Sequence, residues 1–403
     1  MDPVVGSVFV LVYLGMILGE APGLRLDRTG IALLGAITLI ASGRISLQDA
    51  WRAIDAATIA LLLGLMVISA QFRLGGFYTA ATRRLGAAEH TPPQLLALVV
   101  LTSGALSAIL ANDIVCLAMA PVLLELCARR GLDPVPFMLA LACGSNVGSA
   151  GTLIGNPQNM LIGEVLDMSF GGYLWQGGVP ALIGLGVVWA VLNFSYRGRW
   201  HRSIPVPTVT APPYDRWQTM KGMAVVTVVM VAFLFTSAPR EVVALAAAAV
   251  LLASREMASR EMLGLVDWHL LVLFAGLFIV NAAVQQSGLL GGVFMAFRMA
   301  HLDLANPGVL FAVTAVLSNL VSNVPAVMLL LPVASHPLSG AVLALASTLA
   351  GNLFIVGSIA NIIVVDQARR LGVEIDWRTH TRVGVPVTIA TLAVAAAWLA
   401  LVG

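Results

Sequence analysis

Apolar runs long enough to cross a bilayer recur along almost the whole chain, and this recurrence restricts the fold more than any single motif. They lie near residues 4–20, 29–42, 56–72, 137–167, 179–196, 222–237, 240–253, 268–286, 338–368 and 383–402. Only short polar segments separate them, which leaves no stretch for a soluble catalytic domain. The composition agrees: 59% of the 403 residues are hydrophobic and 10% are charged, against roughly 25% charged in an ordinary soluble domain. The lipid bilayer is the expected partner, and a net charge of +2 gives no ground for a nucleic-acid one. The opening Met1-Asp2-Pro3 lacks the basic region of a signal peptide and is expected to stay on as the start of the first helix. Cys116, Cys127 and Cys143 stand in apolar surroundings without metal-ligand spacing and read as packing residues.

Two further stretches, 94–128 and 307–336, are each long enough for two helices but are interrupted by polar clusters, Asn112-Asp113 and Ser322-Asn323. Non-helical backbone at membrane depth survives only where protein or water satisfies it. Each stretch is therefore expected to form a re-entrant helix–turn–helix hairpin whose polar tip points inward.

An internal repeat organises these pieces. Asp55 opens DAATIALLLGLMVISA and Asp267 opens DWHLLVLFAGLFIVNA, 212 residues later, and Gly64 and Gly276 keep the same offset. ILANDIVCLAMAP and LVSNVPAVMLLLP each place an Asn nine residues before a Pro, at an offset of 211. LIGNPQN (Gly155 to Asn159) and IVGSIAN (Gly357 to Asn361) follow at 202. Five full spans plus one hairpin per copy is an odd number of crossings, so the second copy enters the membrane from the opposite side. The expectation is an all-α polytopic membrane protein of two inverted-topology repeats, each five transmembrane helices plus one re-entrant hairpin, with broken helices at the midplane. The first repeat is 1–196 (scaffold 1–93, transport part 94–196), followed by a cytoplasmic linker at 197–221. The second is 222–403 (scaffold 222–306, transport part 307–403). Polar arms at 73–93 and 287–306 are expected to lie along the interface.

Charge counting tests the topology independently. With both termini outside, eighteen of the 22 Lys and Arg residues fall on the inner side, including Arg73, Arg129, Arg130 and the basic linker, and only Arg44, Arg52, Arg240 and Arg298 remain outside.

Helix breakers at mid-depth mark the chemistry. ACGSNVGSAGTLIGNPQNMLIG carries Gly148, Gly151, Gly155 and Pro157, and AGNLFIVGSIANIIV breaks around Gly357. Broken helices expose carbonyls at one half-helix end and N–H groups at the other, suited to a cation and an anion respectively. Inverted symmetry would bring breaks and tips together, gathering Asn112, Asp113, Asn156, Asn159, Ser322, Asn323, Ser358 and Asn361 into a solute-binding site. A single Asn or Ser in a membrane helix more often bridges neighbouring helices; eight at matched breaks favour the site. Asp113 is singled out because an ionised carboxylate at bilayer depth costs about 2.5–3.5 kcal/mol and is functional by default. Glu125 and Glu164 fall nearer helix ends and read as interfacial. The six His residues, His90, His201, His269, His301, His336 and His380, are scattered without HExxH, and Asp113 has no matching second Asp, so an intramembrane enzyme is not supported.

The four motifs together resemble the ion transporter superfamily of arsenite-efflux permeases, citrate transporters and divalent-anion:sodium symporters, most closely the small bacterial inner-membrane members of the citrate-transporter-like group. The resemblance implies a secondary active transporter of a small anion or oxyacid driven by Na⁺ or H⁺, an elevator mechanism, a homodimer and no resident cofactor. It also implies a location in the bacterial inner membrane. By likeness to the sodium-coupled branch, the coupling-ion positions are Ser107, Asn112 and Gly155 in the first repeat and Ser318, Asn323 and Gly357 in the second, with Asp113 beside the first. That branch carries Ser-Asn-Thr at both tips, whereas here they are Ala111-Asn112-Asp113 and Ser322-Asn323-Val324. The Asn-Asp pair is similar to the arsenite and sodium/proton-exchange branches, which are the runner-up activities: arsenite/antimonite efflux or Na⁺/H⁺ antiport.

Overall fold

The computed structural model describes all residues except 1, 20–22, 87–88, 203, 208, 210–211, 290, 292–294, 296–298, 300–301 and 403. Arg298, His301 and most of the expected arm at 287–306 therefore lie outside the described residues. What is described is helical throughout, apart from one isolated bridge between Leu132 and His201.

Six helices are long and apolar enough to span a membrane. They are α4 (Ala56–Leu74), α6 (Pro92–Ile109), α10 (Phe170–Ser195), α11 (Arg216–Phe235), α14 (Trp268–Gln286) and α19 (Trp377–Val402). Shorter apolar helices are α1 (Pro3–Leu18), α2 (Arg28–Ala41), α15 (Pro307–Val321), α16 (Asn323–Leu330) and α17 (Ser339–Ala350). The others are α3 (Leu47–Ala53), α5 (Phe77–Leu85), α7 (Asn112–Arg129), α8 (Pro134–Ser149), α9 (Pro157–Val165), α12 (Arg240–Leu252), α13 (Ser259–Leu263) and α18 (Ile359–Arg370). Large apolar side chains such as Leu182 (70% exposed) and Phe194 (81%) face outward, as lipid contact requires. The chain is an all-helical, multi-pass membrane protein.

The helices begin where local chemistry allows. Asp55 accepts from Thr58 N at 2.7 Å and Asp267 from Leu270 N at 3.0 Å, so the repeated aspartates are N-caps of α4 and α14. The span expected near 179 begins earlier, at Phe170, capped by Ser169. Gly171, Gly172, Gln176, Gly177 and Gly178 dilute its apolar run without breaking it. The span expected near 222 likewise begins at Arg216, where Asp215 caps it.

Small residues let these helices approach. A Cβ on Gly64 would lie 2.6–2.8 Å from Ala244, and one on Gly276 would lie 2.9–3.1 Å from Ala32. Ala32 and Ala244 are again 212 residues apart, so the α4–α12 contact and the α2–α14 contact are the same contact made twice.

Two helix pairs turn back within the molecule. Arg130 Nη2 donates to His90 O at 2.6 Å, so the end of α7 returns to the start of α6. Leu304 and Ala305, just before α15, share a cavity with Pro332 and Val333 just after α16. Arg240 pairs with Glu164 at 2.9 Å and donates to Met168 O and Gly163 O at 3.0 and 2.6 Å. Both side chains are only about a tenth exposed, so Glu164 is not the interfacial carboxylate expected of it but half of a buried ion pair.

Candidate functional site

The break between α8 and α9 is built by its own sequence. Gly155 packs so closely against the backbone of Ser149 and Ser107 that a Cβ has no room there. Pro157 follows, which forces Asn156 out of the helical region (φ −152°, ψ 160°), and Asn156 then caps α9 by accepting from Asn159 N at 3.0 Å. The second break runs from Ala350 through a 3₁₀ turn at Ile355–Gly357 to Ser358, which is extended (φ −144°, ψ 140°) before α18.

Both breaks orphan carbonyls, and the same two side chains satisfy them. Asn159 Nδ2 donates to Thr152 O (2.8 Å) and Ser149 O (3.4 Å). Asn361 Nδ2 donates to Phe354 O (3.1 Å) and Gly351 O (2.9 Å). Every residue of the second set stands 202 positions after its counterpart.

The two breaks are then tied to each other crosswise. Asn146 of α8 accepts from Ser358 Oγ at 2.8 Å and donates to Asn361 Oδ1 at 3.0 Å and Asn352 Oδ1 at 2.9 Å. Thr348 of α17 accepts from Asn156 Nδ2 at 3.3 Å and donates to Asn159 Oδ1 at 3.3 Å. Asn146 and Thr348 are also 202 apart, so each half reaches into the break of the other by the same route. Asn146, Ser149, Asn156, Asn159, Thr348, Asn352, Ser358 and Asn361 are all buried.

The two tips join this network differently. Asn112 begins α7; its N–H donates to Gly155 O (3.2 Å), its Nδ2 to Asn146 Oδ1 (3.3 Å), and its carbonyl accepts from Ser145 Oγ (3.3 Å). Ser107 Oγ donates to Ser145 Oγ at 3.0 Å. Asn112 Oδ1 is buried with no partner. At the second tip Ser322 turns the chain at φ 76°, a strained value for a residue with a side chain. With its amide nitrogen inward, the two N–H groups of Asn323 are shared among Ser318 Oγ (2.5 Å), Ser347 O (3.1 Å) and Gly357 O (3.2 Å).

The structure thus brings together Asn112, Asn156, Asn159, Ser358 and Asn361, with Ser107 and Gly155 against them, and gathers Ser318, Asn323 and Gly357 into a second cluster. Asp113 faces elsewhere, into a cavity of about 200 Å³ lined also by Arg73, Asp267, Pro157, Met160 and Ile363. It is therefore not the isolated carboxylate its apolar hairpin suggested: charged residues of α4 and of the α14 cap share its cavity. Among the described residues no three His, Cys, Asp or Glu side chains form a metal cluster. The clusters offer hydroxyl, amide and carbonyl oxygens instead, donors that suit a hard cation.

Reading breakers and tips alone misses Asn146, Thr348, Asn352, Ser145 and Ser347, the residues that do the joining. The signal was present: at the offset of 202, Ser145 falls on Ser347 and Asn146 on Thr348, two consecutive polar matches inside apolar helices.

Comparison with known proteins places this architecture. Residues 11–350 match the citrate transporter family CitMHS. The chain is 29% identical to the silicon efflux transporter LSI3 of Oryza sativa subsp. japonica, over 97% of its own length and 96% of that protein. It is 28% identical to the uncharacterized transporter MT2759 of Mycobacterium tuberculosis, over 93% and 94% respectively. In fold it is similar to the YdaH transporter of Alcanivorax borkumensis (TM-score 0.63, 16% identity, covering 99% of this chain and 98% of that one). MtrF of Neisseria gonorrhoeae is a second such structure (TM-score 0.57, 12% identity, 99% and 94%). The match spans most of the chain and carries transport rather than catalysis: this protein is a transporter, not an enzyme, and belongs to the citrate transporter family within the ion transporter superfamily.

Proposed function

We propose that this secondary transporter moves a small anion or oxyacid coupled to Na⁺ or H⁺ by elevator-type alternating access. In this reading 1–196 and 222–403 are inverted repeats joined by the 197–221 linker, each with five spans and one re-entrant hairpin. Parts 94–196 and 307–403 move together against a scaffold of 1–93 and 222–306, in a homodimer in the bacterial inner membrane with both termini outside.

The observation that carries it is the crosswise pairing of Asn146 with Ser358 and Asn361 and of Thr348 with Asn156 and Asn159. A two-fold related pair of half-helix breaks, welded by amides, forms one rigid body with ion-binding ends on its surface, which is what an elevator carries. The coupling-ion positions are Ser107, Asn112, Gly155, Ser318, Asn323 and Gly357, with Asp113 beside the first and facing the neighbouring cavity. The unpartnered Asn112 Oδ1 beside Ser107 supports a cation there. Turning the Asn323 amide oxygen inward would set it among Ser318 Oγ, Ser347 O and Gly357 O, four oxygens around one point. Substrate would meet the amides and hydroxyls of Asn112, Asn156, Asn159, Ser322, Asn323, Ser358 and Asn361.

Oxyacid efflux, including arsenite/antimonite, is a second reading, and Na⁺/H⁺ antiport a third that shares the Asn112-Asp113 pair. The second is favoured by the relative named for silicon efflux. Uptake and counterflow in proteoliposomes across arsenite, phosphate, sulfate, dicarboxylates and citrate, with Na⁺ and pH gradients varied separately, separates them. Gradient-driven accumulation of at least one of these solutes is expected; flux that ignores both gradients would mean a channel. Single cysteines at Ser7 and at Ser203, the latter outside the described residues, should label from opposite faces.

A further inference from the structure

The cavity facing Asp113 lies where the proposed moving and fixed parts meet. Asp113 and Pro157 come from α7 and α9, Arg73 from α4, and Asp267 from the cap of α14. Its charges are in unequal situations. Asp267 is engaged, since its Oδ1 accepts from Leu270 N at 3.0 Å. The side chains of Arg73 and Asp113 make no hydrogen bond or ion pair with any described residue, nor with each other. Both are only partly exposed. A guanidinium has five N–H donors in a planar fork, and leaving it half-buried and unmatched is costly unless something else fills the fork. Near the end of α4, Arg73 also complements the helix dipole, but that role uses its charge and leaves the donors free.

We infer that Arg73 receives the solute as an oxyanion, a carboxylate or an inorganic oxoanion, in this cavity on its way to the amide and hydroxyl site, while the coupling cation or proton sits on Asp113. This rests on the transport reading above and specifies the charge state of its solute. The chemistry fits: a guanidinium grips two oxygens of such an anion at once. A volume of about 200 Å³ is below the roughly 300–1,000 Å³ of pockets for drug-sized ligands, so the occupant is small. The same charges supply coupling. Two carboxylates against one guanidinium leave the empty cavity negative and repel an anion. Of the two acids, Asp113 has both carboxylate oxygens without a hydrogen-bond partner among the described residues, and a proton or Na⁺ taken there cancels the excess. The rest of the lining is uncharged, including Pro157 and Met160 of α9 and Ile363 of α18. On the proposed topology the end of α4 and the start of α14 lie at the inner face, so the anion reaches Arg73 from inside.

The test reads occupancy directly, apart from transport. Ile114→Cys puts a thiol in the cavity wall, while the native Cys116, Cys127 and Cys143 are fully buried. Alkylation of purified full-length protein is followed with sulfate, phosphate, succinate or citrate present. At least one anion should slow it, and lowering the pH or adding Na⁺ should strengthen the protection. Arg73→Gln should weaken the half-protecting concentration about 10- to 100-fold, the loss of a charge-assisted bidentate contact. Arg73→Lys should lie between the two, whereas a helix-dipole role alone would leave protection equal in all three. Equal protection, or none by any anion, overturns the inference. Loss of the transport reading would show separately, as flux in proteoliposomes that follows neither gradient.

Discussion

The two interhelical turns at 111–113 and 322–324 occupy equivalent places in the chain and are not equivalent in chemistry. Residues 111–113 present an Asn with an unpartnered buried oxygen and, next to it, a carboxylate facing a cavity with charged walls. Residues 322–324 present an Asn that satisfies three oxygens, and next to it a buried valine. The frame around them is symmetric to the residue, as the Gly64–Ala244 and Gly276–Ala32 contacts and the crosswise amides show. In the proposed mechanism a repeated frame with unlike tips separates two duties: the frame would position both ion sites, and only the first tip carries a carboxylate.

Substitutions that alter the frame should act alike in both halves, and substitutions at the tips should not. The largest effect is expected at the close helix contacts. Gly64→Leu and Gly276→Leu each drive a side chain into backbone 2.6–3.0 Å away, and neither should yield a monodisperse protein on size-exclusion chromatography. Survival of one would break the symmetry of the frame.

Next come the tip asparagines. Asn112→Ala and Asn323→Ala should each impair transport severely. Asn323→Ala removes two N–H groups shared among three oxygens and should cost more stability, at about 1–3 kcal/mol per orphaned partner, while Asn112→Ala removes one donated bond. The pH-dependent part of the defect should appear mainly in Asn112→Ala. Thermal unfolding of the purified variants, alongside coupling-ion binding, measures both; wild-type ion binding in both would take these residues out of the sites.

The smallest effect on transport is expected at the hubs, where the loss falls on stability. Asn146→Ala strips partners from Asn112, Ser358, Asn361 and Asn352, and Thr348→Val from Asn156, Gln158 and Asn159. Each should lower stability by about 1–3 kcal/mol per group left unmatched. Thr348→Val should be the milder because two of its three bonds are 3.3 Å long.

Much of the frame was legible in the sequence because its causes are local. Apolar runs set the spans, Asp55 and Asp267 their starts, and Gly155 and Pro157 the first break. The start of α10 was hidden because its glycines lower the apolar density while α-helical geometry persists. The hubs were harder, because Asn146 and Thr348 sit one turn before the breaks inside helices and carry no breaker of their own. Arg73 was invisible as a neighbour of Asp113, since its place at the end of α4 reads equally well as an inner-face anchor. Such meetings are set by how helices pack, and only a repeat offset or a structure reveals them.

The account turns on Asp113 as the site of coupling. The most direct measurement is solute accumulation by Asp113→Asn in proteoliposomes, with Na⁺ and pH gradients imposed separately and expression matched to wild type. The variant should fold, bind solute and equilibrate it, but accumulation should no longer follow either gradient. Unchanged dependence on both gradients would contradict the account and remove Asp113 from coupling.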